Sequence, residues 1–455
     1  MVTEENHLIT QPIPQLIRKV AIPASVGYFF NTMYNVVDTC FGGMISTETL
    51  AALSLSLPVY FIIISMGTGV STGSTALISN ALGAGNREEA ERFALQGISF
   101  GVLTSILLMF VGIHISPSLF SVLGASDEYL EISLKYMDTI FLGTFFFMLV
   151  YMLNSILNAL GDTRSFRNFL IVGFLLNIIL DPWFIYGGLG IPSLGIVGVA
   201  LATVLIQFIG CLYLGIRVSE TRLIARRDLR YLLPRLQYFK EISRQGLPAS
   251  VNMFTIGTGI FVITYFVSKF GQEAVAAYGV AMRVEQIALL PPIGLNVATL
   301  TIVAQNNGAH LFNRVKETLN KALRYGGMVM TFGTIAVFVL AEYLLRFFTD
   351  DLNVIPIGAT YLRIDALVLY SYVILFVHVA LLQGIKRPMY AVWIGLYRQI
   401  VAPVVVFYVL IHIFGAGLIG IWWGIFAVTW SAALFTIFYA RRVIRKVSKA
   451  SVENQ

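Results

Sequence analysis

FLIVGFLLNIILDPWFIYG, residues Phe169–Gly187, is an apolar run interrupted by one asparagine and by an aspartate with a proline behind it. With the residues from 166 onward, the segment is long enough to cross the ~30 Å of hydrocarbon in a bilayer as a helix. A carboxylate near the bilayer centre costs roughly 2.5–3.5 kcal/mol on insertion scales. We therefore expect Asp181 to lie in a polar pocket, where another group neutralises or uses its charge.

Apolar runs of this kind recur along the whole chain. Of its 455 residues, 57% are hydrophobic and only 12% are charged, whereas soluble domains contain about 25% charged residues. The runs are continuously apolar, without alternation of period two, which indicates helices rather than the strands of a barrel. The sequence predicts an all-α polytopic membrane protein with twelve transmembrane helices, at approximately 14–38, 50–78, 92–115, 133–158, 166–187, 195–217, 246–268, 277–304, 319–346, 359–383, 389–413 and 416–440.

The basic residues indicate how the chain is oriented. Of 31 lysines and arginines, 25 fall on one side of the predicted spans and 4 on the other. By the positive-inside rule, we expect both termini in the cytoplasm and a multi-pass protein of the plasma (inner) membrane. The net charge of +7 then reflects this orientation, and we expect no nucleic-acid partner.

The chain also contains an internal repeat. RKVAIPASV at Arg18–Val26 matches SRQGLPASV at Ser243–Val251, so one Pro-Ala-Ser-Val segment begins at Pro23 and the other at Pro248. An offset that covers six spans keeps the orientation in the membrane, so parallel repeats are expected. The sequence predicts two pseudo-symmetric six-helix lobes, at 1–217 and 245–440. A cytoplasmic linker at 218–244 joins them, and a cytoplasmic tail follows at 441–455. The arginine-rich linker is expected to be a solvated loop beside anionic lipid.

Four predicted helices of the first lobe carry polar residues at helical spacing, which places each set on one helix face. Such faces avoid lipid and are expected to turn inward. The residues are Asn31, Tyr34, Asn35 and Asp38 on the first helix, Asn154 and Asn158 on the fourth, Asn177 and Asp181 on the fifth, and Thr203 and Gln207 on the sixth. We expect a coupling-ion site at Asp38, Asn154, Asn177, Asp181 and Thr203. The others are candidates for lining a substrate cavity.

Asp38 and Asp181 need an explanation beyond helix packing. Two carboxylates in one low-dielectric pocket resist being ionised together, so one of them can take up and release a proton. The same oxygens, with Asn177 and Thr203, could instead hold Na⁺, and both possibilities stay open. For the asparagines alone, hydrogen bonding between helices is the favoured interpretation. Pro182 leaves the carbonyl four residues earlier without its helical donor, so we expect a kink beside Asp181.

The second lobe lacks these carboxylates, because the positions that match them at the repeat offset are apolar. Coupling is therefore expected in the first lobe. The second lobe has charges of its own inside predicted spans, at Arg283, Glu285 and Arg398. They are expected either to line the substrate cavity or to form a structural ion pair between Glu285 and one of the arginines. Asp365, near the outer end of the tenth predicted span, is expected to be solvated.

Motifs for other chemistries are missing from the sequence. It has no GxxxxGK[ST] nucleotide-binding loop and no HExxH. Its five histidines are scattered, and its two cysteines show neither metal nor disulfide spacing. We therefore expect no enzyme activity, no cofactor and no ATP motor within this chain.

Several segments resemble the multidrug and toxic compound extrusion (MATE) family. They are YNVVDTCFGG at Tyr34–Gly43, GAGN at Gly83–Asn86, NIILDPWFIYG at Asn177–Gly187, LPASV at Leu247–Val251 and VEQIALLPPIGL at Val284–Leu295. The resemblance covers nearly all of the chain and appears in order in both lobes. Carboxylates in both the first and fifth spans are most similar to the DinF-like branch.

This resemblance implies a fold of two six-helix bundles forming a V around a central cavity. It also implies secondary active multidrug export, in which organic cations or amphiphiles leave the cell in exchange for H⁺ or Na⁺. The expected partners are such small molecules, the coupling ion and membrane lipids, and the chain is expected to be a monomer. A flippase for a lipid-linked substrate is the alternative, but it would need a cavity lined with basic residues. A channel fits the hydropathy alone, but duplicated lobes and proline-broken spans favour alternating access.

Overall fold

The computed structural model describes residues 6–122, 124–125, 127–188, 190–224 and 230–453, and helices account for nearly all of them. Within these ranges, β pairing is limited to one isolated bridge between Gly188 and Ile191. The predicted all-α class is confirmed. Arg226 and Arg227 of the predicted linker lie outside the described residues, as does the side chain of Lys449 in the tail.

Sixteen α-helices and two π-helical segments follow one another along the described chain. The α-helices are α1 His7–Thr10, α2 Ile13–Ile45, α3 Thr47–Gly83, α4 Arg87–Val122, α5 Asp127–Ala159, α6 Arg164–Tyr186, α7 Ile196–Glu220, α8 Leu236–Ser268, α9 Gln272–Ala288, α10 Leu290–Gly308, α11 Phe312–Arg346, α12 Val354–Ala366, α13 Leu369–Gly384, α14 Met389–Leu396, α15 Ala402–Tyr408 and α16 Gly417–Glu453. The π-helical segments, Tyr397–Val401 and Val409–Ile413, follow α14 and α15.

The helices account for the twelve predicted spans. Among the described residues, nine helices are long and apolar enough to cross a membrane, namely α3 to α8, α11, the α14–α15 segment and α16. Two further spans are bent pairs, since α9 meets α10 at 43° and α12 meets α13 at 50°. The 33 residues of α2 also exceed the ~20 that a span requires, although its polar stripe lowers its hydropathy. The structure therefore agrees with a polytopic bundle of twelve helices or helix pairs.

The break between α12 and α13 is closed by side chains from other helices. Thr334 Oγ1 donates to the carbonyl of Ala366 at 2.8 Å, and Trp430 Nε1 donates to the carbonyl of Leu367 at 3.0 Å. Backbone groups that a broken span leaves free in a membrane must find partners inside the protein. These two bonds meet that need.

The eleventh span widens into a π-helix around Arg398. Pro403 has no amide hydrogen, and the amide of Ala402 bonds to the carbonyl of Tyr397, five residues earlier. Short π-helical segments within α-helices are often found at functional sites. The sequence alone predicts an uninterrupted helix over 389–413.

Two compact units divide the chain, Val26–Ser250 in one and Met1–Ser25 with Val251–Gln455 in the other. Each has a buried apolar core, with Ile63 and Met137 in the first and Phe407 and Trp422 in the second. The unit boundaries fall inside α2 and α8, within the twin Pro-Ala-Ser-Val segments. They differ from the linker-based bounds expected from the sequence, because the start of each of these helices packs with the other half of the chain.

A glycine contact at each of these helix starts is duplicated at the repeat offset. In one unit, a Cβ on Gly69 of α3 would collide with Ser250 of α8. In the other unit, a Cβ on Gly294 of α10 would collide with Ser25 of α2. Gly69 and Gly294 occupy matching positions of the repeat, as do Ser25 and Ser250. Small residues allow helix backbones to approach closely, so the repeat extends from sequence to packing.

The described part of the linker contains more helix than the solvated loop expected from the sequence. Helix α7 continues to Glu220 and α8 begins at Leu236, so most of 218–244 that the structure describes is helical or leads into a helix. Gln96 of α4 holds the segment before α8, since its Nε2 donates to the carbonyl of Leu233 at 2.8 Å and its Oε1 accepts from the amide of Arg235 at 2.9 Å. Where the structure describes it, this segment is therefore partly helical and bound by polar groups of α4, while its place as a cytoplasmic linker stays a prediction.

Candidate functional site

A single asparagine joins the two aspartates of the first half of the chain. Asn177 Nδ2 of α6 donates to Asp38 Oδ1 of α2 at 2.8 Å and to Asp181 Oδ1 of its own helix at 2.9 Å. The four-residue spacing puts Asn177 one turn before Asp181 on one helix face, as the sequence predicts. The structure therefore brings together the three residues that the sequence analysis placed at the centre of a coupling site.

The cluster is enclosed by protein. Asn177 and Asp181 are completely buried, and Thr203 of α7 and Asn154 of α5 are nearly so. Asp38 is half-buried. Tyr34 lies one turn before Asp38 on α2, and its hydroxyl is buried. The site thus contains side chains from α2 and α6, with Thr203 of α7 and Asn154 of α5 buried in the same unit.

Two oxygens of this cluster have no hydrogen-bond donor. Within the described part of the chain, Asp181 Oδ2 and Asn177 Oδ1 are buried without a partner, as is Asn154 Oδ1 of α5 in the same unit. Buried polar atoms are nearly always satisfied in proteins, so such atoms call for an explanation. A group of acceptor oxygens of this kind suits a proton or a hard cation such as Na⁺.

Hydrogen bonds fix both ends of α6 and so position Asp181. At the start, Asp162 Oδ1 accepts from the amide of Ser165 at 3.1 Å, which satisfies a free donor of the first turn. At the end, the amide of Leu194 bonds to the carbonyl of Phe184 at 3.0 Å. Helix α6 runs through Pro182 without a break in its assignment. The proline therefore removes one backbone donor next to Asp181 but does not end the helix.

The remaining predicted cavity residues of the first half are placed less centrally. Asn31 and Asn35 are exposed, and Asn35 Nδ2 bonds to the carbonyl of Asn31 at 3.0 Å. Asn158 and Gln207 are half-buried. The polar stripe of α2 therefore divides into an exposed portion and a portion that reaches the carboxylates.

The second half of the chain contains a separate carboxylate within a span, the half-buried Glu285. Tyr361 donates to its Oε2 at 2.8 Å and Tyr372 donates to its Oε1 at 2.9 Å. The guanidinium of Arg398 lies over the ring of Tyr372, 5.2 Å from its centroid. Among the described residues, Glu285 forms no salt bridge with an arginine, because two tyrosines take its oxygens and Arg283 is exposed. The expected structural ion pair is therefore not formed.

Asp365 was expected to be solvated, and this was wrong. Its exposure is 1%, because α12 is not followed by a loop but by α13, which continues the same bent span. Tyr361 and Asp365 are four residues apart on α12 and share a helix face. That spacing of polar groups in an apolar segment was the signal available in the sequence.

Duplicated halves, broken spans and polar residues buried within the helices are features of secondary transporters. The MatE family model matches residues 23–183 and again 248–409, so each match begins at the proline of one Pro-Ala-Ser-Val segment. The chain belongs to the MatE family, as the resemblance implied, and this is a family of membrane transporters rather than of enzymes.

Individual relatives agree with this assignment. The chain is 28% identical over 440 residues to a probable multidrug resistance protein NorM of Thermotoga maritima, covering 93% of this chain and 92% of the relative. It is 24% identical over 415 residues to the multidrug export protein MepA of Staphylococcus aureus (strain bovine RF122 / ET3-1), covering 91% and 90%. The crystal structure of a MATE protein in a bent conformation aligns with a TM-score of 0.92 at 25% identity, covering 99% of this chain and 100% of the other.

Proposed function

We propose that this protein is a secondary active multidrug exporter, which moves organic cations or amphiphiles out of the cell in exchange for H⁺ or Na⁺. The observation that carries the proposal is the amide of Asn177, which bridges the carboxylates of Asp38 and Asp181. Relatives named for multidrug resistance and multidrug export support the cargo and the direction.

The bridge links ion binding to helix arrangement. With both carboxylates ionised, two like charges share one donor in a buried site, which is unfavourable. A proton or Na⁺ relieves this repulsion and changes which partners Asp38 and Asp181 prefer. An ion can shift a conformational equilibrium only through such a difference in affinity between two arrangements. Coupling is therefore assigned to α2 and α6.

The cavity residues belong to the same proposal. Candidates for contacting cargo are Asn31, Asn35, Asn158, Gln207, Arg283, Glu285 and Arg398, and Tyr34 is a candidate for both sites. We propose that it acts as a monomer in contact with membrane lipids, with the coupling site in the unit Val26–Ser250. The DinF-like pairing of carboxylates in α2 and α6 favours the antiporter over the lipid-linked flippase, which would need a basic cavity.

The coupling ion can be identified by counterflow in proteoliposomes. Efflux of a fluorescent organic cation is measured under a pH gradient without sodium, and under a sodium gradient at constant pH. We expect at least one gradient to drive uphill movement. Equal equilibration under both gradients would show a facilitator or channel and contradict the proposal, and movement of a fluorescent lipid-linked sugar in place of the cation would support the flippase.

The orientation of the termini is also proposed, with both in the cytoplasm of a plasma-membrane protein. In a Cys40→Ser, Cys211→Ser background, Leu236→Cys should react with an impermeant thiol reagent only after the membrane is opened, because Leu236 is exposed at the start of α8. Leu352→Cys, also exposed and between α11 and α12, should react in intact cells. The reverse pattern would overturn the direction of export.

A further inference from the structure

Two carboxyl groups of the second half of the chain share one aromatic environment. Glu285 lies near the end of α9, and Asp365 lies near the end of α12, so each is within a few residues of a break in its span. Tyr361 lies one turn before Asp365 on α12 and donates to Glu285 at 2.8 Å, so one tyrosine links the two carboxyl groups. The ring of Tyr278 packs edge-to-face against Tyr361 with centroids 5.4 Å apart, and Tyr372 also donates to Glu285.

The two carboxyl groups differ in the number of hydrogen-bond donors around them. Glu285 accepts one hydrogen bond from a tyrosine hydroxyl on each oxygen, at 2.8 and 2.9 Å. Asp365 is 1% exposed, and neither of its oxygens has a partner among the residues that the structure describes. An ionised carboxylate without donors or a counter-charge is very costly in such a place, whereas a neutral carboxylic acid is tolerated.

The charges around the cluster lead to the same conclusion. Four elements contribute titratable or charged groups to the cluster. They are α9 with Glu285 and Tyr278, α12 with Asp365 and Tyr361, α13 with Tyr372, and the π-helical segment Tyr397–Val401 with Arg398. Arg363 of α12 is exposed and donates to Glu342 at 2.9 Å, so it does not neutralise Asp365. With Glu285 ionised and Arg398 positive, the cluster is neutral only when Asp365 carries a proton.

We propose that Asp365 and Glu285 form a second proton-binding site, distinct from the pair bridged by Asn177, in which the proton resides on Asp365. When that proton leaves, the new carboxylate needs donors, and the tyrosine hydroxyls that bond to Glu285 belong to the same cluster. Loss of the proton therefore requires Tyr361 or Tyr372 to change partners. Both tyrosines flank the bend between α12 and α13, so the site links protonation to the geometry of that broken span.

The test is infrared difference spectroscopy on the purified full-length protein, following the carbonyl stretch of a protonated carboxyl group against pH. Asp38→Asn/Asp181→Asn is used as the background, because it removes the signal of the first site. In sodium-free buffer at neutral pH, we expect the remaining band to disappear in Asp365→Asn. It should persist in the matched control Asp138→Asn, which replaces a half-buried carboxyl group of α5.

Glu285→Gln provides a second variant that does not touch Asp365. Removing the negative charge of Glu285 makes release of the proton from Asp365 easier, so the band should titrate at lower pH than in the background. A band that is unchanged in Asp365→Asn would overturn the proposal. So would a band that sodium abolishes at constant pH, since the site would then hold a metal cation. Because the readout is protonation, it is independent of whether transport by the first site is coupled as proposed.

Discussion

Asn177 is the residue on which the carboxylate pair depends, because its amide donates to both Asp38 and Asp181. Asn177→Ala would leave two carboxyl groups without their shared donor. We expect a loss of about 1–3 kcal/mol in stability, the usual cost of an unsatisfied buried polar group. The measurement is thermal unfolding in detergent at neutral pH. Asn35→Ala is the control, since Asn35 is exposed and its amide bonds to its own helix, and an equal loss there would contradict the assigned role.

The loss of stability in Asn177→Ala should also depend on pH. A proton on either carboxyl group removes the repulsion that Asn177 offsets, so the difference between Asn177→Ala and the wild type should shrink as the pH falls. Unfolding temperatures measured from acidic to alkaline pH test this. A difference that is constant across the range would show that Asn177 acts in packing alone.

At this scale, the sequence predicted the charged residues better than their partners. Asp38, Asn177 and Asp181 follow from their helical spacing and from the cost of charge in an apolar segment. The burial of Asp365 and the two tyrosine bonds of Glu285 did not follow. Both depend on which helices pack against α9 and α12, and that information is not local to the sequence.

Among the elements, α6 contains the feature most easily altered. Pro182→Ala restores an amide donor opposite the carbonyl of Ile178 and stiffens the helix beside Asp181. We expect slower transport with both carboxylates in place, and a smaller pH-dependent change in the distance between spin labels on α2 and α5 of the same unit. Pro117→Ala in α4 is the control for loss of a helix-internal proline. Wild-type distances that stay constant from acid to neutral pH would contradict the link between α6 and ion binding.

Continuous apolar runs predicted the helices and their approximate ends, but not the breaks within them. The bend between α12 and α13 has no proline at Leu367 or Val368, and its carbonyls are satisfied by Thr334 and Trp430 from distant positions. A break of this kind is made by tertiary contacts. The π-helical segment at Tyr397–Val401 has a local signal in Pro403, which lacks an amide hydrogen.

The whole molecule is built by duplication, and its twin glycine contacts provide a test of that plan. Gly69→Leu and Gly294→Leu each place a side chain against a serine and the backbone of the opposing helix. We expect each to lose about 1–3 kcal/mol of stability, as overpacked sites do. Gly279→Leu in α9 is the control, because a Cβ there meets open space. A loss at one site only would show that the duplicated contact is not equally important in both units.

The repeat was visible in the sequence as the twin Pro-Ala-Ser-Val segments, and the two matches of the family model begin at the same two prolines. The unit boundaries were not predicted, since nothing in the sequence indicates that the starts of α2 and α8 pack with the opposite half of the chain. Arg314 shows why. Its guanidinium donates to the carbonyl of Gln11 at 2.7 Å and to Asn306 at 2.8 Å, and the first of these contacts joins residues far apart in the chain.

The central claim is that the pair of Asp38 and Asp181 couples an ion gradient to export. Uphill efflux of a fluorescent cation from proteoliposomes tests it most directly, with Asp38→Asn and Asp181→Asn compared with Glu131→Gln, an exposed carboxylate of α5. Each aspartate variant should remain folded and monodisperse. Its gradient-driven efflux should fall by roughly tenfold or more, which corresponds to about 1.4 kcal/mol. Glu131→Gln should match the wild type. Uphill efflux at the wild-type rate in both aspartate variants would contradict the account.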